Sequence, residues 1–437
     1  MADKARDGTY GQITDEAVAR LRERIGIAVR NPAPPHYREP GTDAFRIVAQ
    51  AYGDDNPLWG DRDYAAKTRW AEPIAPPAMV GGDTLIGQDD PVEITDEQKQ
   101  SLKGDPLRGV HAFYAGSRRE WWAPLTAGRT IRRRDALVGV HDKASEFAGR
   151  AVHEWSGQLF AADNSNTPGE EGGGEERAGE EGTGGDLLSA QYKLMIRTER
   201  EKAREKKKYA AIEPYVYTDD EIADIERAVL AEKPRGAEPR NWEDVKEGDA
   251  IPTLVKGPLT VTDMVCWHTG VGMGLYNVRP LGLAVKNRQR IPRFYHRDEQ
   301  NVPDVMQRVH WDPGFARRSG NPNTFDYGRM REFWFIHACT NWMGDDAWLW
   351  KLSVEFRKFN YVGDTQWITG AVTSRYETDG RPAVDLELKA ANQRGDVTTT
   401  GTATVLLPGN GRPVRLPDPP GRDLPSAMRA VIEGFAR

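Results

Sequence analysis

Cysteine is scarce: Cys266 and Cys339 are the only two in 437 residues. Neither sits in a CxxC pair, which excludes a thiolate metal framework and a disulfide scaffold. Cys339 lies in an apolar run and reads as a buried free thiol, as suits a reducing cytosol. Membrane-length apolar runs are missing too. No stretch approaches the roughly 18–20 apolar residues of a span, and the charged N-terminus lacks the apolar core of a secretory signal. An excess of one charge is also lacking. The chain carries 60 basic and 66 acidic residues, a formal charge of −6, and acids and bases are interspersed. That gives no field for nucleic acid. Basic runs such as residues 132–134 read as solvated faces. The expectation is a cytoplasmic protein without nucleic-acid or membrane partners.

What is present falls into two rounds. Apolar residues make up only 38% of the chain, and much of the shortfall lies in residues 163–186, a Gly- and Glu-rich insert. That segment cannot bury enough surface to offset its ordering entropy and is expected to stay disordered. Before it, residues 14–162 form a first domain. TDAFRIVAQAYGDDNP reads as a helix capped by Thr42, and DRDYAAKTRW as a turn capped by Asp61 or Asp63. From residue 110 to 160, alternation and turn residues predict antiparallel strands. Residues 187–239 read as a charged helical linker. Over residues 240–410 the order recurs: a helix capped by Thr262 or Asp263, a capped turn, the apolar helix REFWFIHACTNWMG, then strands with Gly turns. Residues 411–437 form a tail. A buried helix with a strand meander, twice, is an α+β pattern.

The rounds can be registered. WGDRDYA, from Trp59, lines up with HWDPGFA, from His310, so that Trp59 faces His310, Asp61 faces Asp312 and Ala65 faces Ala316. Pro77 then faces Gly328 at the same spacing, and PLTAGRT parallels NYVGDT. On these residues the chain resembles a known family. GDDNPLWGDRDYA with PIAPP resembles the N-terminal dehydratase domain of MaoC-like proteins. VHWDPGFARRSGNP, YGRM and EFRKFNYVGDT resemble the MaoC-like hot-dog domain. The resemblance implies an α+β double hot-dog, each half a long helix wrapped by a curved antiparallel sheet. It implies hydration of trans-2-enoyl-CoA thioesters, or the reverse dehydration, with no metal or redox cofactor. An acyl-CoA is then the small-molecule partner, and a second copy or another lipid-metabolism enzyme a further one.

Hydration of a conjugated double bond needs a water held by an acid and a base, and a donor for the charge on the thioester oxygen. The family pattern is Asp-x-Asn-Pro-x-His-x-Asp with a downstream glycine that supplies an N–H. The first half has Asp54, Asn56, Pro57 and Asp61, but Trp59 stands where the base belongs, and an indole takes no proton from water. The second half has His310 as base, Asp312 as cap and Gly328 as oxyanion donor. Its acid position is Val305, and an insertion over residues 275–303 precedes it. Asp304, one residue away, is the candidate acid, and His268 and Asp326 are further candidates for holding the water. Arg288 and Arg290 in KNRQRIPRFYHR, with Arg357 and Lys358, are candidates for the CoA phosphates. Trp334, Trp342, Trp348 and Trp350 are core residues or an acyl tunnel. Gly270, Gly272 and Gly274 follow no strand and precede no phosphate-loop lysine, which rejects a nucleotide loop. Two other readings stay open: a thioesterase on the same fold, and an acyl-CoA-binding or scaffolding protein in which both loops have decayed.

Overall fold

The computed structural model describes residues 11–30, 35–81, 87–145, 149–163, 186–199, 213–272 and 281–436. All but the end residues of the insert lie outside them.

The first half opens with α1 (Asp15–Arg22), capped by Thr14, whose hydroxyl accepts the Ala17 N–H. There follow β1 (Ala28–Val29), α2 (Thr42–Ala51), α3 (Arg62–Ala65), β2 (Gln88–Asp89) and α4 (Asp96–Ser101). Four long strands complete it: β3 (His111–Trp121), β4 (Ile131–Ser145), β5 (Gly149–Ala162) and β6 (Asp186–Thr198). The second half contains α5 (Asp219–Leu230), β7 (Leu254–Lys256), α6 (Val261–Val271) and α7 (Leu281–Arg290). A small ribbon, β8 (Tyr295–Arg297) with β9 (Pro303–Val305), leads to α8 (Pro313–Arg318) and the long α9 (Gly328–Met343). Strands β10 (Trp348–Phe356), β11 (Gln366–Thr378), β12 (Arg381–Asn392) and β13 (Val397–Leu406) follow, then α10 (Leu424–Ala436).

The long strands form one sheet in the order β4-β5-β6-β3-β10-β13-β12-β11. Read outward from the seam between β3 and β10, both halves have the same order, so the repeat in the sequence is a repeat in space. At the seam the strands run antiparallel, from Lys351 opposite Glu120 to Glu355 opposite Gly116. Opposite charges face each other at the first of these pairs. At the last, the backbones approach so closely that a Cβ on Gly116 would lie 2.3 Å from the Val354 carbonyl oxygen. Two isolated bridges carry the register further: Ile74 pairs with Thr126, and Phe325 pairs with Tyr361. Ile74 aligns with Phe325 at the spacing that aligns Trp59 with His310. Thr126 aligns with Tyr361 where PLTAGRT parallels NYVGDT.

Helix α9 mixes apolar residues with Arg329, Arg331, Glu332, His337 and Thr340 around its circumference, and nearly all of them, the polar ones included, are buried. Its Phe333, Phe335, Ile336 and Trp342 form the centre of the main core with Val354, Val372, Leu386 and Val405 of the second-half strands. This is an α+β hot-dog arrangement. The residues of the first half in register with α9 begin at Pro77, and among the described ones a turn and β2 stand there in place of a helix. Gly81 and Pro91 interrupt that stretch, and both disfavour helix. Instead, α1 packs Val18 and Leu21 against Leu137, Val140 and Val152 of β4 and β5.

Other expectations are corrected. The linker expected over residues 187–239 begins as β6, an inner strand paired with both β3 and β5. The tail holds α10, whose Leu424, Ala427, Met428 and Val431 cover the opposite sheet face at Leu159, Ala161 and Leu187. The cap of α2 is Gly41, with no side-chain bond, and not Thr42. The cap of α6 is Thr260, in a reciprocal capping box with Asp263. The run at residues 132–134 is no solvated face: Arg133 is buried beside Asp89, while Arg132 and Arg134 pair with Asp163 and Asp90. Among the described residues no helix is long and apolar enough to cross a membrane.

Candidate active site

Two loops in equivalent places carry the candidate chemistry. In the first half, Asn56 accepts the Leu58 N–H and starts a tight turn through Trp59. Asp61 then caps α3 by accepting the Tyr64 N–H at 3.0 Å. In the second half a similar turn runs from Met306 to His310, and Asp312 caps α8 by accepting the Phe315 N–H at 2.8 Å. The equivalence Asp61–Asp312 therefore holds in local geometry.

The first loop is filled. Trp59 is 3% exposed and lines a narrow apolar cleft with Pro77, Trp121 and Trp348. Pro77, facing the oxyanion position, has no N–H to offer. Both the base and the donor are thus missing from this copy. What remains is tied into the protein: Asp54 accepts the Asn56 N–H and the Tyr52 hydroxyl, and Asn56 donates to Asp345 at 2.9 Å. The His337 Nε2 of α9 lies 3.8 Å from Asp54 Oδ1 and 2.8 Å from Glu232 Oε1. Burial raises the Glu232 carboxyl, but the hydrogen bond and charge of His337, with Lys256 and Asn341, outweigh it and lower the pKa. The sequence reading missed His337, which sits in an apolar run whose partners are more than a hundred residues away.

The second loop is open in a different sense. His310 is half-buried and its Nδ1 lies 2.9 Å from the Phe325 carbonyl oxygen. A carbonyl only accepts, so Nδ1 carries the proton and Nε2 is left as a lone-pair acceptor. The ring stacks on Tyr327, with centroids 3.8 Å apart and planes at 28°. Burial pushes its pKa down to about 4, against smaller opposing effects from the Phe325 and Asp326 backbone. At neutral pH the ring is therefore uncharged and able to take a proton. Gly328, the residue after Tyr327, opens α9. N–H groups in the first turn of a helix have no intrahelical partner, and Tyr327 caps none of them with its side chain. The free N–H and the helix dipole favour a developing negative charge there. A Cβ at Gly328 would sit 3.1 Å from Phe356 and 3.4 Å from Tyr114, so the glycine keeps the approach narrow but clear.

Asp304 does not join this group. It pairs with His296 across the β8–β9 ribbon, and its carboxylate accepts its neighbour's N–H, from Val305, at 2.7 Å. The contacts of His310 run to Phe325, Asp326 and Tyr327 instead, and its charge is felt at His268. Asp326 is buried and bound to Arg331 Nε at 2.9 Å and Asn360 Nδ2 at 3.0 Å. Burial raises its pKa to about 6 in spite of Arg331. Arg357 and Lys358 follow Phe356, whose ring flanks Gly328. Both have surface partners, Glu355 for Arg357 and Asp396 at 2.5 Å for Lys358. Arg290, at the end of α7, donates to Asn287 at 3.3 Å, and Arg288 is half-buried on the same helix. Among the described residues no group of three or more His, Cys, Asp or Glu side chains is arranged to hold a metal ion. Trp334, Trp342 and Trp348 are core residues, with Trp350 packed at the core's edge.

No protein-family model and no curated protein matches this chain. Solved structures do. A MaoC-like dehydratase is similar with a TM-score of 0.53 at 16% identity, over 89% of this chain and all of that one. A putative MaoC domain protein dehydratase from Chloroflexus aurantiacus J-10-fl reaches 0.49 at 12% identity, over 95% of this chain and all of that one. A MaoC-like dehydratase from Phytophthora capsici reaches 0.45 at 12% identity, over 90% and 99%. Identities this low speak to architecture alone. With the repeated strand order, the matched bridges and the helix-loaded second half, the first likeness shows the chain to have the α+β double hot-dog fold of a MaoC-like dehydratase.

Proposed function

We propose that the protein is a hydro-lyase that adds or removes water across the 2,3 double bond of an acyl-CoA thioester, with its working site in the second half. One observation carries this reading. His310 is fixed in the tautomer that leaves Nε2 free, and it stacks on the residue that precedes the first N–H of α9. A base and an oxyanion donor therefore stand side by side.

In hydration, Nε2 of His310 takes a proton from water as the water oxygen bonds to C3. The electron pair of the double bond moves toward the thioester, and its oxygen is held by the Gly328 N–H. The imidazolium then returns the proton to C2, so one group makes both transfers and the balance closes. The acid role expected of Asp304 passes to the His310 imidazolium. Arg357 and Lys358, next in sequence to Phe356, meet the CoA phosphates, with Arg288 and Arg290 as further contacts. The first half, its own copy filled by Trp59, walls the acyl side. No cofactor takes part in this scheme.

The test is hydration of short, long and branched trans-2-enoyl-CoA thioesters, followed by loss of enoyl absorbance. Turnover by the native chain should fall about 10²-fold or more in His310→Ala, as for loss of a general base. A second reading has its own support: among the described residues, the contacts of His310 include no carboxylate side chain in place of the family's acid. On that reading the protein binds acyl-CoA without turnover. Binding of acyl-CoA with no hydration of any thioester would favour it. Release of free thiol from a saturated acyl-CoA would favour a thioesterase.

A further inference from the structure

Within the site just proposed, one side chain is unaccounted for. His268, on α6, meets the edge of Tyr327 with ring centroids 4.5 Å apart and planes at 86°. His310 stacks on the face of the same Tyr327 ring at 3.8 Å. The two imidazole centroids therefore lie within about 8 Å of each other. A water that accepts from one nitrogen and donates to another, at about 2.8–3.0 Å each, spans up to about 6 Å between them. Adding the offset of each nitrogen from its ring centre, this reach matches the upper bound on the ring separation, so a single water can join two nitrogens that face each other.

Both ring nitrogens of His268 are shielded from solvent and, among the described residues, have no hydrogen-bond partner. A histidine kept for packing alone holds at least one such bond, because leaving both nitrogens unmatched is costly. The hydroxyl of Tyr327, the ring that both imidazoles touch, is unmatched as well. Polar atoms gathered on one aromatic ring and unsatisfied by protein mark a place built for a polar occupant.

The position on α6 agrees. Gly272 ends α6 in the left-handed conformation (φ 67°), as Gly53 (φ 80°) follows α2. Asp54 comes next in the first half, but the residue after Gly272 is Met273, which has no acid or base. His268 stands one helical turn earlier.

We propose that His268 is the second group of this site and holds the attacking water together with His310. This rests on the hydro-lyase reading above. Neutral imidazole suits the task, since it has one donor and one acceptor. Burial first, and the nearby His310 second, push the His268 pKa down to about 4, which keeps it neutral at pH 7. Water held from two sides is aimed at C3 rather than free to reorient, and misplacement of a reacting group by about 1 Å costs on the order of 10²-fold in rate.

The experiment compares the native chain with His268→Phe, His268→Gln and His310→Ala. Hydration kinetics use an enoyl-CoA that the native chain turns over. His268→Phe should lower kcat by about 10²-fold with KM little changed. His268→Gln, which keeps a donor and an acceptor, should recover part of that loss. In parallel, the ring C–H signals of isotope-labelled histidine are followed against pH. His310→Ala should raise the midpoint of the His268 signal by removing a neighbouring positive charge. A native-like kcat in His268→Phe would overturn the proposal while leaving the hydro-lyase reading intact. So would a His268 midpoint indifferent to His310→Ala, which needs no activity and no variant at His268. If the native chain hydrates nothing, the reading falls and the proposal with it. Should His268→Phe not fold, the Gln variant and the titration decide.

Discussion

Glu332 should be among the most sensitive positions in the protein. It lies on α9 one turn after Gly328 and is fully buried, as is Arg119 on β3 of the other half. Arg119 reaches Glu332 Oε2 with Nε at 3.1 Å and Nη2 at 2.7 Å. The Tyr114 hydroxyl donates to Oε1, and Arg119 Nη1 donates to the Gly81 carbonyl. Burial raises the Glu332 pKa, but the charges of Arg119 and Arg329 outweigh it and hold the carboxyl below its usual range. Glu332→Gln keeps the shape and removes the charge, so Arg119 is left buried beside a neutral amide. Breaking a buried pair in this way costs about 3–5 kcal/mol. Arg119→Met should cost a similar amount, because it strands the carboxylate. The double variant, Arg119→Met with Glu332→Met, removes both charges of the pair but takes the carboxylate from buried Arg329 and the donor from the Gly81 carbonyl, so it should cost less than the two single losses added together without being neutral. Urea unfolding at pH 7 measures all three. A loss below about 1 kcal/mol in Glu332→Gln, or a double variant as unstable as the two singles added together, would refute the reasoning.

Further outcomes follow from the same geometry. Unfolded histidines bind protons near pH 6.5, while folded His310 and His268 resist until about 4. Stability should therefore fall as pH drops from 6.5 toward 4, by up to about 1.4 kcal/mol per pH unit for each ring. Urea midpoints of His310→Asn should show a shallower pH slope than the native chain, and equal slopes would contradict this. Asp326 acts with the opposite sign: its folded pKa of about 6 lies above the unfolded value of 3.8, so its contribution improves as pH falls through that range. Asp326→Asn should steepen the acid slope. Trp59→His should destabilise the protein by about 2–3 kcal/mol through lost packing and add no turnover, since Pro77 still offers no N–H. Deleting residues 422–437 uncovers Leu159, Leu187 and Tyr192 under α10. A loss of about 3–5 kcal/mol is expected from the apolar contacts of Leu424, Met428 and Val431, seen as a lower urea midpoint and new binding of a hydrophobic dye.

The repeat was legible because its anchors are local chemistry. Asp61 and Asp312 do the same capping work, and capping depends on a few neighbouring residues. Trp59 announced its own consequence, since no environment makes an indole a base. What was not legible depended on distance. Leu188, Ala190, Tyr192, Leu194 and Ile196 alternate as a strand does, but the charged run that follows β6 resembles a helix and obscured them. The partners of His337 come from the first loop and from the chain after α5, and no spacing brings them together in advance. Asp304 was chosen for being one residue from the expected place. In a β-ribbon, one residue turns a side chain to the other face, and adjacency in sequence then says little about adjacency to His310.

The first loop has Asp54, Asn56 and Pro57 with Trp59 in place of a base, and the structure gives these residues a physical role. Helix α9 is held at both ends. Its first turn leaves the Gly328 N–H without an intrahelical partner, while the side chains of Arg331 and Glu332 just beyond it are held by Asp326 and Arg119. Its last turns carry His337 and lead into Asp345, and these are gripped by Glu232, Asp54, Asn56 and Tyr64, the last bonding to Asp345 at 2.6 Å. The first loop thus holds the far end of the helix whose near end carries the proposed donor. A group that must meet developing charge without reorganising needs a rigid support. Asn56→Ala releases one of these grips without touching His310 or Gly328. It should lower stability by about 1–3 kcal/mol, because Asp345 loses a buried partner. If α9 is held as described, kcat should fall as well, with KM little changed. A variant that loses stability in urea but keeps its full kcat would separate the clamp from the chemistry, and the retained loop would then be a fold element only.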